Sequence, residues 1–277
     1  MQLFAPAKIN LSFKILRRRE DGFHEIETLM APISLGDELT IEPNEAGNGI
    51  VFTTDDPTLP PCEDNLVMRA ARSFFAEIKK EPDVRITLQK KIPHGAGLGG
   101  GSSDAASTLL GLNALHGQPV PFARLTSLAA NLGSDVPFFL AQSAARCSGR
   151  GEVVAPVEPM PRLALLLLKP EFGVPTPWAY RQWQDSRELP GVAYAPQQVG
   201  QTTLQNDLER PVFQKHIFLA RMKGWLREQP EVAAALLSGS GSTMFAVLRE
   251  AAVGDALAAR ARAELDPALW TAPALTR

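Results

Sequence analysis

The stretch KIPHGAGLGGGSSDAAS, residues Lys91–Ser107, carries five glycines and then changes abruptly to serine, aspartate and alanine. Glycine lacks a Cβ atom, so the backbone N–H groups of such a loop can approach a ligand closely. The segments on either side of the glycines decide whether this is a binding loop or a flexible linker.

The glycine loop is predicted to lie between a strand and a helix. Before it, the stretch VRITLQ alternates Val84, Ile86 and Leu88 with polar residues, which is typical of a half-buried strand. After it, Ser102 or Ser103 is predicted to cap a helix that continues with an apolar stripe. A helix N-terminus carries partial positive charge, so the combination favours an oligophosphate held by backbone N–H groups.

Three other interpretations fit the loop less well. A Walker loop ends in Gly-Lys-Ser or Gly-Lys-Thr, but here Gly101 is followed directly by Ser102. The dinucleotide pattern G-x-G-x-x-G occurs at residues 95–100, yet no acidic residue lies between Asp104 and Asp135 to bind a ribose hydroxyl. A flexible linker is rarely wedged between a regular strand and a capped helix.

The N-terminal residues predict a strand with one apolar and one polar face. Odd-numbered positions from Leu3 to Ile15 are apolar, whereas Lys8, Asn10 and Ser12 occupy even positions. These three side chains are therefore expected to project from one face, opposite the core. The charged stretch RRREDG that follows is predicted to be a solvated hairpin turn.

Composition and charge exclude several classes of function. The 277 residues are 45% hydrophobic and 21% charged, with a formal net charge of -2, which is typical of one large or two medium globular domains. Binding of nucleic acid would need a concentrated excess of Lys and Arg, so a small-molecule partner is expected. No secretory signal or membrane-spanning run is visible, so we expect a cytoplasmic protein without membrane attachment. Cys62 and Cys147 show neither metal nor disulfide spacing.

Helical and strand patterns alternate along the chain, which predicts an α/β or α+β architecture. Three prolines in VVAPVEPMPR, residues 153–162, interrupt these patterns. We therefore expect a domain boundary there, with an N-terminal domain at residues 1–157 and a C-terminal domain at residues 158–277.

Three motifs of the chain resemble those of the GHMP kinases, the superfamily of galactokinase, homoserine kinase and mevalonate kinase. PAKINLSFKI at residues 6–15 resembles the first motif, PHGAGLGGGSSDAA at residues 93–106 the second, and LSGSGSTMFAVL at residues 237–248 the third. The resemblance implies an α+β fold of two domains, with the active site in the cleft between them and ATP as cofactor. The third motif is expected to fold against the second.

In the GHMP kinases the second motif wraps the phosphates of ATP. The resemblance therefore assigns ATP binding to Pro93, His94, Gly95, Ala96, Gly97, Leu98, Gly99, Gly100, Gly101, Ser102 and Ser103. Asn65, in EDNLV, would lie near the adenine, although it could instead simply begin a helix. Mg²⁺ is expected with ATP, and Ser102 or Ser103 is a candidate ligand. The metal ligands are otherwise unknown, because Asp104 is the one acidic residue near the loop.

Further segments resemble the branch of the superfamily that phosphorylates the 2-hydroxyl of a cytidine-diphosphate-linked methylerythritol in the non-mevalonate isoprenoid pathway. These segments are PAKINL, DGFHEIETLM, EDNLVMRA, GLGGGSSDAA and LGSDVPFF. The resemblance implies that Asp135 is the catalytic base of a direct in-line phosphoryl transfer and that Lys8 is its partner. From its position in a turn between Gly133 and Pro137, Asp135 could equally cap the next helix.

The resemblance also assigns residues to the substrate. His24 would bind the edge of the cytosine, with Phe23 and Tyr180 on the two faces of the ring. Thr176 and Asn10 match further substrate-binding positions. The commonest pattern of the branch has tyrosine before this histidine, so Phe23 keeps the stacking face but lacks a hydroxyl group.

Two other functions are compatible with parts of this pattern. A related kinase could act on another small alcohol, such as homoserine or mevalonate, but should lack the cytosine-binding residues. A regulator could bind the nucleotide without catalysis, but the presence of both Lys8 and Asp135 argues against it. We expect a monomer or a weak homodimer.

Overall fold

Two β-sheets and eight α-helices make up the described part of the chain. The computed structural model describes residues 1–44, 49–59, 64–157 and 162–277. The strands are β1 (Gln2–Arg18), β2 (His24–Pro43), β3 (Gly49–Thr54), β4 (Asp83–Gln89), β5 (Ala145–Ser148), β6 (Val153–Pro156), β7 (Ala164–Lys169), β8 (Gln197–Val199), β9 (Thr202–Asn206), β10 (Val232–Leu237), β11 (Met244–Leu248) and β12 (Trp270–Leu275). The helices are α1 (Leu66–Ile78), α2 (Gly100–Leu115), α3 (Phe122–Leu132), α4 (Val136–Leu140), α5 (Thr176–Gln182), α6 (Glu209–Lys215), α7 (Ile217–Glu228) and α8 (Gly254–Glu264).

The larger sheet is arranged around the long first strand. Its main order is β3-β4-β2-β1-β9-β8, and β5 and β6 extend it beside β2. β1 and β2 form an antiparallel hairpin in which Arg18 pairs with His24, which confirms the predicted turn. On its other side β1 runs parallel to β9, where Ser12 pairs with Gln205. The sheet therefore combines strands from early and late parts of the sequence.

The smaller sheet has the antiparallel order β10-β11-β7-β12, and its strand β11 is buried along its whole length. Alternate residues of β11 serve two different cores. Met244 and Ala246 pack with apolar residues of α6, α7 and α8. Phe245 and Val247 face the opposite way and belong to the core that contains β1. The sheet is thus covered on both faces, which explains its nearly continuous apolar sequence.

The apolar face of β1 lies in the core between the two sheets. Ala7, Ile9 and Leu11 are fully buried and belong to the same cluster as Phe245 and Val247. The strand predicted from alternating residues is confirmed, and these three odd positions are apolar because they meet the smaller sheet.

The glycine loop connects β4 to α2, as predicted, but the predicted serine cap is wrong. The helix begins at Gly100 and its N-cap is Gly99, whose φ of 72° lies in the left-handed region. Ser102 and Ser103 therefore belong to the first turn of the helix. Glycine adopts this conformation without steric cost, so the chain enters the helix before it reaches a side chain able to cap it. The N-cap residue makes no side-chain hydrogen bond to the helix.

Some sequence-based predictions meet the limits of the described residues. The domain boundary expected between residues 157 and 158 adjoins residues 158–161, which lie outside them, and it stays a prediction. Cys62 also lies outside the described residues, whereas Cys147 is buried with a free thiol. Within the described ranges, no helix is both long enough and apolar enough to cross a membrane.

Candidate active site

A cavity of about 320 Å³ lies where the polar face of β1 meets the glycine loop. The first half of the chain lines it with Lys8, Asn10 and Asp135, and the second half with residues of α5 and of the turn before β11. Ten residues predicted to bind ATP line it, namely Pro93, His94, Gly95, Ala96, Gly97, Leu98, Gly99, Gly100, Gly101 and Ser102. The predicted nucleotide loop and the predicted catalytic pair therefore share one cavity.

The glycine loop packs closely against the third motif. A Cβ atom on Gly97 would overlap the carbonyl oxygen of Ser238, and the Ser238 hydroxyl donates a hydrogen bond to the Gly97 carbonyl at 3.0 Å. The N–H groups of Ser242 and Thr243 donate to the carbonyls of Gly95 and Ala96 at 3.3 and 3.2 Å. The expected contact between the second and third motifs is confirmed, and it explains why residue 97 has no side chain.

The N-terminus of α2 faces the cavity with its backbone. Gly100, Gly101 and Ser102 form the first residues of the helix and all three line the cavity. The first N–H groups of an α-helix have no acceptor within the helix, and the helix dipole makes this end partially positive. The arrangement can therefore hold a phosphate group through the main chain.

Lys8 and Asp135 come together at the centre of the site. The Lys8 Nζ lies 3.6 Å from the Asp135 Oδ2, and the lysine side chain is 5% exposed while that of the aspartate is 38% exposed. Asp135 is the N-cap residue of α4 by position, as its place in the turn allowed, but its side chain makes no capping hydrogen bond to that helix. A buried ammonium group thus accompanies a carboxylate that remains open to a ligand.

A chain of hydrogen bonds fixes the lysine. Lys8 Nζ donates to Asn10 Oδ1 at 2.6 Å, and Asn10 Nδ2 donates to Thr28 Oγ1 at 2.9 Å. The Thr28 hydroxyl in turn donates to the carbonyl of Ser12 at 2.7 Å. Sequence reasoning missed Thr28, because only the pairing of β2 with β1 brings this residue beside Asn10.

A buried ionic cluster supports the entrance to the glycine loop. Lys90 Nζ pairs with Asp37 and lies 2.9 Å from Asp104 Oδ2, and all three side chains are almost fully buried. Asp37 Oδ1 also accepts hydrogen bonds from the backbone N–H groups of Lys91 and Ile92 at 2.6 and 2.8 Å. Burial raises the pKa of Asp104 to about 7, although the Lys90 ammonium acts in the opposite direction. Sequence reasoning did not find this cluster.

The predicted cytosine-binding residues lie at the α5 side of the site. The rings of His24 and Tyr180 stack with centroids 5.3 Å apart, and Tyr180 lines the cavity. Burial and the nearby Arg18 lower the pKa of His24, while burial raises the pKa of the Tyr180 phenol. Phe23 is half exposed, and the Arg150 guanidinium lies 4.9 Å from its ring centroid.

Other predicted residues have additional partners. Thr176 Oγ1 and Ser240 Oγ lie 2.8 Å apart, and both residues line the cavity. The Asn65 side chain accepts a hydrogen bond from Val67 N at 2.9 Å and is the N-cap of α1. Asn65, Phe23, His24 and Ser103 are not among the described lining residues, so their contact with ligands stays a prediction.

The described residues offer few protein ligands for a metal ion. No group of three or more His, Cys, Asp or Glu side chains within them could hold a cation. Ser102 lines the cavity, whereas the Ser103 hydroxyl is buried and finds no hydrogen-bond partner in the described residues. The Asp104 carboxylate forms an ion pair with Lys90.

Comparisons with known proteins show which family the chain belongs to. The family described as GHMP kinases N terminal domain matches residues 65–143. A 4-diphosphocytidyl-2-C-methyl-D-erythritol kinase of Methylacidiphilum infernorum is 42% identical over 272 residues, covering 96% of this chain and 93% of that protein. The crystal structure of a 4-(cytidine 5'-diphospho)-2C-methyl-D-erythritol kinase has a TM-score of 0.79 at 37% identity and covers 100% of both chains. A homoserine kinase of Cytophaga hutchinsonii shares the fold, with a TM-score of 0.61 at 18% identity over 100% of this chain and 94% of that one.

The α+β fold and the matched motifs define a GHMP kinase, which confirms the predicted fold class and makes this protein a small-molecule kinase. Within that class, the chain belongs to the 4-diphosphocytidyl-2-C-methyl-D-erythritol kinase family.

Proposed function

We propose that this protein transfers the γ-phosphoryl group of ATP to the 2-hydroxyl of 4-diphosphocytidyl-2-C-methyl-D-erythritol, a step of the non-mevalonate route to isoprenoid precursors. Relatives that bear this substrate in their names support the proposal over most of the chain. The observation that carries the chemistry is the Lys8–Asp135 pair, 3.6 Å apart in the cavity that the N-terminus of α2 also lines.

Asp135 acts on the acceptor hydroxyl late in the transfer. A typical carboxylate is about 12 pKa units less basic than the alkoxide it would have to generate, which corresponds to about 16 kcal/mol for complete prior deprotonation. Phosphoryl transfer passes through a loose transition state, so little basicity is needed before the new bond forms. Asp135 therefore orients the hydroxyl and accepts its proton as the oxygen bonds to phosphorus.

Lys8 stabilises the charges that surround this step. Its ammonium group stands beside Asp135 and is held by Asn10, which limits its movement. A fixed cation in a partly dehydrated site interacts strongly with phosphoryl oxygens. The N–H groups at the start of α2 would hold the remaining phosphates of ATP.

Mg²⁺ fits the site as a companion of the nucleotide. When bound, the ion would neutralise part of the phosphate charge and keep several of its own waters. The Ser102 hydroxyl is the protein group best placed to reach it, because Ser102 lines the cavity at the start of α2.

The cytidine end of the substrate is assigned to His24 and Tyr180. The lowered pKa of His24 leaves its ring neutral at pH 7, so it offers one donor and one acceptor to the edge of the base. Tyr180 offers an aromatic face for stacking. Phe23 and Thr176 complete the proposed substrate site, with Phe23 at its exposed margin.

The proposed function is tested by measuring ADP release with Mg-ATP and a panel of alcohols. We expect turnover with the cytidine-linked alcohol and none with homoserine or mevalonate. Strong turnover with homoserine alone would refute the proposed substrate, and binding without turnover on every alcohol would indicate a regulator.

A second test concerns the base. Asp135→Asn keeps the size of the side chain but removes its negative charge, so we expect kcat to fall by roughly 10² to 10⁴-fold with ATP binding retained. Isothermal titration with an ATP analogue and steady-state kinetics measure the two effects. The exposed Asp185→Asn serves as the control and should behave like the unmodified protein. Full activity of Asp135→Asn would remove this residue from the mechanism.

A further inference from the structure

The turn between β10 and β11 touches the groups proposed for catalysis. Gly239 and Ser240 of this turn line the cavity. A Cβ atom on Gly239 would lie 3.2 Å from Asn10 Oδ1 and 3.3 Å from Lys8 Nζ. Any displacement of the turn would therefore change the surroundings of Lys8 directly.

Asn206, at the end of β9, holds this turn through its side-chain amide. Its Nδ2 donates two hydrogen bonds, one to the carbonyl of Leu237 and one to that of Gly239, both at 2.8 Å. Its Oδ1 accepts a bond from Leu208 N at 2.9 Å. The side chain is 6% exposed, and both of its N–H donors are used on main-chain carbonyls. Asparagine or glutamine is the residue type that can donate twice and accept at once in such a place.

These bonds also fix the direction of a peptide group. The Gly239–Ser240 peptide is trans, so its N–H points opposite to its C=O. Since the Gly239 carbonyl is directed at Asn206, the Ser240 N–H is directed away from Asn206. Ser240 lines the cavity, and no acceptor for its N–H occurs in the described part of the chain. A main-chain donor without an acceptor in the described residues therefore belongs to a residue that lines the cavity.

Asn206 is in turn tied to the strand that carries Lys8. It pairs with Phe13 in the parallel ladder between β9 and β1. The next residue, Asp207, donates its N–H to the Phe13 carbonyl at 3.0 Å and accepts a bond from Ile15 N at 2.9 Å. The Asn206 side chain thus connects β9, which is paired with β1, to the turn that contains Gly239.

We propose that Asn206 is a positioning residue for phosphoryl transfer, which holds the turn so that the Ser240 N–H faces the oxygens of the migrating phosphoryl group. This inference rests on the proposed function. Charge accumulates on those oxygens during transfer, and a pre-oriented main-chain donor stabilises it without reorganisation. Asn206 itself does not contact the substrate.

The test compares Asn206→Ala and the isosteric Asn206→Asp with Gln197→Ala as control. Gln197 also binds the backbone of β10, exchanging two hydrogen bonds with Ala235, but it lies away from the turn. We expect both Asn206 variants to lower kcat by about 10- to 100-fold, with KM for ATP and for the alcohol changed by less than about threefold. Gln197→Ala should keep kcat within about twofold of the unmodified protein, even if its melting temperature falls as far as those of the Asn206 variants.

The isosteric variant adds a pH readout that a purely structural role would not produce. The carboxyl group introduced by Asn206→Asp would be buried between two carbonyls, which raises its pKa and leaves it able to donate one bond when protonated. The kcat of Asn206→Asp relative to the unmodified protein should therefore rise as the pH is lowered from 8 to 6. If Asn206→Ala does not fold, the kcat of Asn206→Asp and its pH dependence still test the positioning role.

The outcomes separate this inference from the proposed function. Turnover of the unmodified protein on a different alcohol of the panel refutes the proposed substrate, and the variants are then compared on that alcohol. An unchanged kcat in both Asn206 variants overturns the positioning role. The role is also overturned if Gln197→Ala loses as much kcat as the Asn206 variants for the same fall in melting temperature. Absence of turnover on every alcohol overturns both proposals.

Discussion

Lys90 is buried between Asp37 and Asp104, just before the glycine loop in the sequence, and it also lines the cavity. Two carboxylates face one ammonium group there, and Asp37 additionally holds the backbone of Lys91 and Ile92. The cluster ties the end of β4, the strand β2 and the helix α2 together. The position of the loop therefore depends on three side chains from distant parts of the sequence.

This cluster predicts a dependence of stability on pH. The pKa of Asp104 is raised from 3.8 to about 7, so between those values the folded state binds more protons than the unfolded state. Stability from this group is complete below pH 4 and is lost as the pH rises through 7. The free energy of unfolding should thus fall more steeply from pH 5 to pH 8 in the unmodified protein than in Asp104→Asn.

Urea denaturation at pH 5, 6, 7 and 8 measures this difference. Lys90→Met is the matched variant, because it leaves two carboxylates without their cation. The free energy of unfolding that this substitution removes should increase as the pH is raised. Parallel pH profiles for the unmodified protein and Asp104→Asn would show that Asp104 does not titrate in this range.

At the scale of elements, the glycine loop and the turn before β11 pack together and form one backbone-lined cradle. The main chain of residues 95–97 contacts Ser238, Ser242 and Thr243 through hydrogen bonds and through the close approach at Gly97. The rigid parts behind them are α2 and the smaller sheet. The cradle is therefore built from backbone supported on both sides by regular structure.

Substitution of Gly97 tests this close approach. Gly97→Ala adds a Cβ atom that would overlap the Ser238 carbonyl, and it also places a side chain at a φ of 73°. Gly117→Ala is the control, because its φ is 76° but a Cβ atom there would meet nothing within 4 Å. The control should cost about 1 kcal/mol from backbone strain alone. We expect Gly97→Ala to cost at least twice as much and to raise KM for ATP by about tenfold or more.

Urea denaturation and steady-state kinetics with varied ATP give both quantities. Equal effects of the two substitutions would mean that the loop moves away from Ser238 at little cost.

Elements with a repeating local pattern could be predicted from the sequence. Alternation in β1 predicted the strand and the shared face of Lys8 and Asn10, and the glycines followed by alanine and leucine predicted the loop and α2. The start of α2 was misplaced, because serine is the commoner cap and the left-handed Gly99 leaves no side-chain signal. Thr28 and Asn206 were not found, since their roles arise from strand pairing between residues far apart in sequence.

At the scale of the whole molecule, the two sheets share a core that crosses the proposed domain boundary. Ala7, Ile9 and Leu11 from β1 pack with Phe245 and Val247 from β11. β8 and β9 also join the larger sheet, although they follow the boundary in sequence. Each half therefore buries apolar surface of the other, and we expect the folding of each half to depend on the presence of the other.

A truncated chain tests this dependence. Residues 1–157 alone would expose the apolar face of β1 and lose the pairing with β9, so we expect no cooperative thermal transition by circular dichroism. Co-expression with residues 158–277 should restore the transition. A cooperative melt of residues 1–157 alone, at a temperature near that of the full chain, would show that this half is an independent folding unit.

The hydrogen bonds from Ser242 and Thr243 to the carbonyls of Gly95 and Ala96 have a thermodynamic consequence for the enzyme. A nucleotide that orders the glycine loop would also order the turn beside Lys8, where the alcohol is proposed to react. Part of the entropy lost on ordering is then common to both binding events, so each ligand should bind more tightly when the other is present.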